Sequence, residues 1–252
     1  MKRIDSLLVE QGRAASRAQA QQWIEAGRVR REGDADPIRK ASQKFPESTV
    51  FEIAPDPADR FVSRGGLKLQ GAIKQTGLAV AGRLCLDIGI STGGFTDCLL
   101  QHGAQLVVGV DVGHSQLAAR LAADPRVVLL ENINARYLQA ADVLAYTGGQ
   151  PVEVIVVDVS FISLTLVLPA ALETLAANGE LLALVKPQFE VGREGLGKGG
   201  IVRDESRYAE VEAKIRAFCH EAGLHVLHYL DSPIKGGDGN REFFVHARRA
   251  NA

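Results

Sequence analysis

Long apolar runs, paired cysteines and a strong net charge are all missing from this chain, and each absence removes a class of protein. No stretch approaches ~18 consecutive apolar residues, so no membrane-spanning helix is encoded and no membrane partner is expected. The three cysteines, Cys85, Cys98 and Cys219, are odd in number and carry no metal-ligand spacing, which argues against a disulfide framework and against a metal centre. The opening MKRIDSLL has no apolar signal core, and together with the cysteine usage this predicts a reducing, cytoplasmic setting. Net charge is only −1, yet residues 1–44 hold ten Lys and Arg against six Asp and Glu, so the positive charge is local. What is present is ordinary for a globular protein: 46% apolar and 23% charged residues over 252, enough for one large α/β domain and a small one.

The chain is organised around Cys85 to Asp97, an apolar run that ends in an acid and breaks into a glycine turn before a helix. Leu84 to Ile90 read as a buried strand, and Phe95, Leu99 and Leu100 begin a helical stripe. Such a strand, turn and helix N-terminus offer free N–H groups and a partial positive charge to a ligand. A dinucleotide turn would read G-x-G-x-x-G, whereas the glycines here are Gly89, Gly93 and Gly94. The next strand, Leu106 to Val110, ends in Asp111, an acid suited to the two hydroxyls of a ribose. Asp87, the turn residues Gly89, Ser91, Thr92, Gly93 and Gly94, and Asp111 together fit S-adenosylmethionine better than NAD; the alternative is a bare βα turn of another doubly wound domain. After the third strand, Asn132-Ile133-Asn134 lacks the acid many methyltransferases place there, and Asn134 is the candidate adenine contact.

The first residues read as a helical hairpin. Ile4, Leu7 and Leu8 fall at helical spacing with Gly12 as the stop; Ser16 caps a second helix carrying Ala20, Trp23 and Ile24, which ends at Gly27. Arg13, Arg17, Arg28, Arg30 and Arg31 gather around it, and guanidinium groups suit phosphate oxygens, although a solvated basic face would look the same. Lys2-Arg3-Ile4-Asp5-Ser6-Leu7-Leu8, Gly12, Ser16 to Ala20, Ile24, Gly27 and Val29 closely resemble the alpha-L RNA-binding motif, which implies structured-RNA binding and adds Arg3 to the candidates. Val50 to Ile53 resemble its last strand, and the proline-rich, acidic Ala54 to Asp59 reads as a linker, so a boundary falls near residue 58. Two domains are expected, 1–58 and 59–252.

Arg64 to Lys68 open a helix whose Leu69, Ala72 and Ile73 form the buried stripe, which leaves Arg64 and Lys68 on another face. Further strands are expected at Val127 to Leu130, Val152 to Asp158 and Glu180 to Lys186, then a helix from Glu205 to Glu221 and a closing antiparallel pair, Leu224 to Leu230 with Glu242 to Ala247. The pattern is a parallel, doubly wound sheet, and ligands of such sheets bind beyond the carboxyl ends of the strands. Asp87, Asp111, Asp158, Lys186 and the start of the last strand, Glu242, all fall at that edge. Lys186 leaves an apolar strand for a poorly solvated place, where a free ammonium is costly and a basic role is open to it. A long glycine-rich connection with Arg193, Lys198 and Arg203 follows.

Taken together, Val62 to Leu69, Asp87 to Asp97, Val157 to Phe161, Lys186 to Glu190, Gly197 to Gly200 and Asn240 to Phe243 resemble the TlyA family, which joins the alpha-L motif to an FtsJ-like methyltransferase domain. The resemblance implies a Rossmann-like sheet with a small N-terminal α+β RNA-binding domain, S-adenosylmethionine as cofactor, and ribosomal RNA or a ribosomal subunit as partner. It also implies that Lys68, Asp158, Lys186 and Glu242 form a constellation for 2′-O-methylation of ribose, with Asp158 touching the cofactor as well. The chain is similar to the shorter members, which act on large-subunit RNA. It departs from the family at Arg60-Phe61-Val62, where members carry a Trp. Two other readings stay open: a non-catalytic ribosome-assembly factor, and, from the family's hemolysin label, a pore former, for which no spanning segment or basic amphipathic helix is present. A base methyltransferase with a cysteine nucleophile is disfavoured, since all three cysteines fall inside elements.

Overall fold

The computed structural model describes residues 1–14, 16–197, 199–202, 204–236 and 239–250, without the side chains at 57, 58 and 193. Residues up to Arg60 and residues from Phe61 onward form two compact units.

The first unit holds β1 (Lys2–Arg3), α1 (Ile4–Glu10), α2 (Arg17–Glu25), β2 (Val29–Arg31), β3 (Lys44–Phe45) and β4 (Phe51–Ile53). Ile4, Leu7 and Leu8 on α1 meet Ala20 and Ile24 on α2, with Val29 and Phe51 closing a small core. Ser16 caps α2 by accepting from the Gln19 N–H at 3.2 Å. Two short antiparallel pairs, β1 with β3 and β2 with β4, complete it.

The second unit begins with α3 (Gly65–Thr76) and continues through β5 (Leu84–Ile88), α4 (Gly94–Gln101), β6 (Leu106–Val110), α5 (Ala119–Ala122), β7 (Val127–Leu130), α6 (Ala140–Leu144), β8 (Val152–Val157), α7 (Leu164–Leu172), β9 (Leu175–Val185), α8 (Ser206–Glu221), β10 (Leu224–Asp231) and β11 (Phe243–Arg249). Among the described residues these strands make one sheet in the order β7-β6-β5-β8-β9-β11-β10. The five strands from β7 to β9 are parallel, while β11 and β10 run antiparallel as the closing pair. Side-chain alternation sorts the core into two layers. Leu86, Ile88, Ile155 and Val157 face α7 and α8, whereas Cys85, Val107, Val154 and Val156 face α3 and α4. The chain winds outward from β5 to β7 and then returns to β8 on the other side, so the crevice between the carboxyl ends of β5 and β8 is where the winding reverses.

Two expectations need correction. The strand expected from Glu180 starts at Leu175, because a register irregularity opposite Val152 and Val154 lets Asn178 and Gly179 stay within it. Helix α7 was not foreseen: its residues are apolar nearly all round and include Pro169, so no polar face marks it as amphipathic.

Candidate active site

Beyond β5 the backbone turns at Gly89, whose φ of 85° suits glycine, and a Cβ there would stand 2.5 Å from the Asp158 carbonyl oxygen. Two cavities meet at this turn. The larger, about 470 Å³, runs past Asp111, Val110, Ile133, Asn134 and Ile162; the smaller, about 280 Å³, is ringed by Arg64, Lys68, Lys186 and Lys235. Gly89, Ser91, Asp158 and Ser160 line both.

In the larger cavity Asp111 is fixed by two backbone donors, Ser91 N–H at 2.8 Å and Gly113 N–H at 2.7 Å. Each oxygen keeps further lone-pair capacity, so a hydroxyl pair can donate to it. Asn134 lines the same cavity, and its Oδ1 accepts from the Arg136 N–H at 3.1 Å, which leaves its amide to donate outward. An acid at one end, aliphatic walls and an amide at the other end match the parts of a nucleoside: ribose diol, flat base, polar base edge.

Two ion pairs reach the smaller cavity. Lys186 Nζ lies 2.6 Å from Asp158 Oδ1 and donates to Ser160 Oγ at 2.9 Å. Lys68 Nζ lies 2.6 Å from Glu242 Oε2, with both side chains nearly buried at 11% and 3% exposure. The structure joins Lys68 to Glu242 and Lys186 to Asp158; Lys68, Asp158 and Lys186 line the smaller cavity, whereas Glu242 lines neither. Lys186 is not the solitary lysine that its strand suggested, since Asp158 balances it.

Two of the expected cavity residues sit elsewhere. Asp87 is fully buried: strand alternation turns its side chain toward α4, where Thr96 Oγ1 donates to Oδ2 at 2.7 Å. Its other oxygen has no hydrogen-bond partner. Burial pushes this carboxyl up to about 7, against the Thr96 bonds that favour the charged form, and the charges of Asp158 and Asp111 raise it further. Gly93 faces Leu117 and Leu121 and lines neither cavity, whereas Gly94 and Thr92 line the smaller one. All three thiols are free and buried. Burial pushes Cys85 up to about 12 and Cys219 up to about 11, and Cys98 is buried in α4.

Residues the sequence did not single out also belong here. Ser160 bridges the cavities and Lys235 adds a cation. Phe161 is 91% exposed at the cavity mouth with φ of 65°, and its ring leans on Phe189 at 5.1 Å. A large aromatic held outward in a left-handed backbone conformation is costly unless it is used. Its signal was the aromatic directly after Asp158-Val159-Ser160.

In the first unit, the candidate arginines are mostly engaged with acids. Arg3 and Arg17 both bond Asp5 at 2.9 Å, Arg30 bonds Glu52 at 2.6 Å, and Arg31 bonds Asp34 at 2.9 Å. All four keep about half of their side chain exposed. Arg28 does not: it donates to the Ala54 carbonyl, pairs with Asp59 and packs over Trp23, so it braces the chain and is withdrawn as an RNA contact. Among the described residues Arg13 has no acidic partner, and in the second unit Arg64 donates to the Lys235 carbonyl at 3.4 Å. Of the glycine-rich loop cations, Lys198 and Arg203 lie outside the described residues, as does the side chain of Arg193.

Comparison with known proteins fits this geometry. Residues 61–249 match the FtsJ-like methyltransferase model and residues 2–34 the S4 domain model. The 16S/23S rRNA (cytidine-2'-O)-methyltransferase TlyA of Mycobacterium tuberculosis is 44% identical over 98% of this chain and 89% of its own length. YqxC of Bacillus subtilis, provisionally described as an rRNA methyltransferase, is 45% identical over 97% of this chain and 84% of its own. A solved structure from Streptococcus thermophilus, provisionally described as a hemolysin, superposes with a TM-score of 0.78 at 41% identity, covering 100% of this chain and 89% of that one. The chain belongs to the FtsJ-like methyltransferase family and carries an S4 domain near its start.

Proposed function

We propose that residues 59–252 transfer a methyl group from S-adenosylmethionine to a ribose 2′-hydroxyl of ribosomal RNA, in the large subunit, and that residues 1–58 bind that RNA. The observation that carries this reading is the junction of a nucleoside-shaped cavity with a lysine-ringed cavity at Asp158 and Ser160. The cofactor supplies a methyl group on a sulfonium, already bonded to a good leaving group, so the protein's work is orientation and proton management.

Asp111 and Asn134 would hold the ribose and adenine of the cofactor, with Gly89, Ser91, Thr92 and Gly94 shaping the turn around it; Asp158 stands at the shared wall. On the substrate side the ribose hydroxyl is a weak nucleophile; Lys186, after its ammonium has released a proton to solvent, takes the hydroxyl proton on its neutral Nζ, which Asp158 and Ser160 keep in place. Lys68, tethered by Glu242, positions the same hydroxyl. Arg64 and Lys235 are left to meet phosphate oxygens. No helix among the described residues is long and apolar enough to cross a membrane, and nothing in the geometry favours the hemolysin reading.

The test is single-turnover methyl transfer from labelled cofactor to separated ribosomal subunits, with the labelled nucleotide mapped. Lys186→Ala should keep fold, cofactor affinity and RNA affinity while losing ~100- to 10,000-fold in rate, the ordinary worth of general-base work. Lys186→Arg should fail as well, because guanidinium stays protonated. Near-wild-type rates for Lys186→Ala would remove it from the mechanism, and label confined to the small subunit would overturn the substrate assignment.

A further inference from the structure

The paired groups Asp158 and Lys186 sit on different loops: residues 158–163 follow β8, and residues 186–191 follow β9. The second loop is internally stiff. Phe189 N–H donates to the Lys186 carbonyl at 2.9 Å, and Glu190 and Val191 N–H donate to the Pro187 carbonyl at 2.9 and 3.1 Å. Glu190, at the end of this turn, sends its carboxylate back to the first loop, with its side chain only 1% exposed. Its Oε2 accepts from Ser163 Oγ at 2.6 Å and its Oε1 from the Leu164 N–H at 2.8 Å. From α8, Lys214 Nζ supplies the counter-charge at 2.7 Å and also donates to the Glu190 carbonyl at 3.2 Å.

We infer that Glu190 is a positioning residue for methyl transfer: it clamps the Lys186 turn to the Asp158 loop and so sets the spacing of Lys186 from Asp158 and Ser160. This rests on the reading of Lys186 given above. The Phe161 and Phe189 rings, 5.1 Å apart, tie the same two loops a second time. A carboxylate that only capped α7 would need neither the Lys214 charge nor a position in the turn that carries the reactive lysine. A buried anion satisfied by a hydroxyl, an amide and an ammonium is a rigid joint, because loosening it strands charge away from water. Reactive groups need placement within about 0.5 Å, and a displacement of about 1 Å costs on the order of 100-fold.

The clamp also explains why Lys186 Nζ has two oxygen partners at once, 2.6 and 2.9 Å away on residues 158 and 160. Both partners lie on the loop that Glu190 grips, and the lysine lies on the turn that Glu190 ends. Sliding one loop past the other would break both contacts together and leave the reactive nitrogen unaligned; since Asp158 to Ile162 also line the larger cavity while Lys186 lines only the smaller one, a shift of the Lys186 turn alone leaves the cofactor cavity as it was.

The experiment compares Glu190→Gln, Lys214→Gln and the double variant in single-turnover transfer with RNA and S-adenosylmethionine saturating. Cofactor affinity by calorimetry, RNA affinity and thermal melting are measured in parallel. Glu190→Gln should lose ~10- to 100-fold in the transfer step, with both affinities within about threefold of wild type. Lys214→Gln, on a more exposed side chain, should fold normally and lose less. The double variant should recover about three- to tenfold over Glu190→Gln, since an uncharged pair can share a hydrogen bond again. Wild-type transfer by folded Glu190→Gln and Lys214→Gln overturns the inference, as does a loss that follows only the unfolded fraction. Lys186→Ala run beside them separates the two claims: if it remains active, the reading of the site fails, and if it is inactive while the Glu190 and Lys214 variants are normal, only the clamp fails.

Discussion

Asp87 makes the ligand-free protein pay in stability as pH rises. The carboxyl is fully buried, is bonded by Thr96 and, among the described residues, leaves its other oxygen unpartnered. Burial, with the nearby charges of Asp158 and Asp111, moves it from 3.8 to about 7. That displacement corresponds to about 4 kcal/mol. Because the folded value lies above the unfolded one, the sign is unfavourable for the charged form. Below pH 4 the group is neutral in both states and contributes nothing; between about 4 and 7 the unfolded chain releases its proton first, so stability falls; above 7 the full cost remains. Asp87→Asn removes this dependence. At pH 8 the variant gains the ~4 kcal/mol, less about 1–3 kcal/mol for the unpartnered amide that replaces the orphan oxygen, so a net gain of about 1–3 kcal/mol is expected. At pH 4.5 it should be no more stable than wild type. Urea titrations of both proteins from pH 4.5 to 8.5 measure the difference directly, and other titrating groups cancel in it. A difference that does not change across this range would refute the reasoning. Since a cation bound in the larger cavity, beside Asp111 and Asp158, favours the charged form of the nearby buried Asp87, S-adenosylmethionine should bind more tightly as pH rises through 7 in wild type, and less steeply so in Asp87→Asn.

Asp111→Ala should weaken S-adenosylmethionine roughly ten- to a hundredfold, since charge-assisted hydrogen bonds contribute ~1.5–3 kcal/mol, and unchanged binding by calorimetry would remove it from the ribose role. Phe161→Ala should leave melting temperature and cofactor affinity alone but weaken productive RNA engagement by about 1–3 kcal/mol, the ordinary worth of one base stacked on an aromatic ring; an unaltered RNA titration and rate would assign the exposed ring no role. Arg13→Ala should lower RNA affinity and reduce the salt slope of log K by about 0.7–0.9 without lowering stability. Arg17→Ala should do both, because Asp5 loses a partner, and filter binding against salt with parallel melts separates the two.

Much of the frame could be read from the sequence because the sheet is built from β-branched apolar runs bounded by turns. Leu106–Val110 and Val127–Leu130 begin and end where the pattern does, and the antiparallel closing pair follows from two strands with no helix between them. Part of the meeting of Lys68, Asp158, Lys186 and Glu242 was also legible, since three of them sit at strand ends of one sheet edge; the expectation for Lys68 needs correction, because it is buried beside Leu69 and Ala72 on α3 and not on a separate face. Partner choice was not legible. Arg30 finds Glu52 and Arg28 finds Asp59 only because β2 and β4 pair, and Lys186 finds Asp158 only because the loops after β8 and β9 are folded against each other. Asp87 was assigned to the cavity on its place in the motif, but counting alternation from Cys85 would have turned it toward α4.

The two ion pairs in the smaller cavity are not equivalent, and the difference divides their labour. Lys68 and Glu242 are almost fully enclosed, so removing either leaves an uncompensated buried charge, a loss of about 3–5 kcal/mol. A lysine held in this way keeps its position. Asp158 is 22% exposed and lines both cavities, while Lys186 is shared between it and Ser160. When a positive sulfonium occupies the larger cavity, the Asp158 carboxylate has a second cation to balance, and its hold on the Lys186 ammonium weakens without any residue moving. Lys186 is therefore the lysine whose pairing a bound cofactor would influence, while the carboxylate that holds Lys68 lines neither cavity. On the proposed reading that asymmetry suits Lys186 to proton transfer and Lys68 to steady orientation, and it leaves Arg64 and Lys235, which pair with no carboxylate among the described residues, to the phosphates on either side of the target ribose.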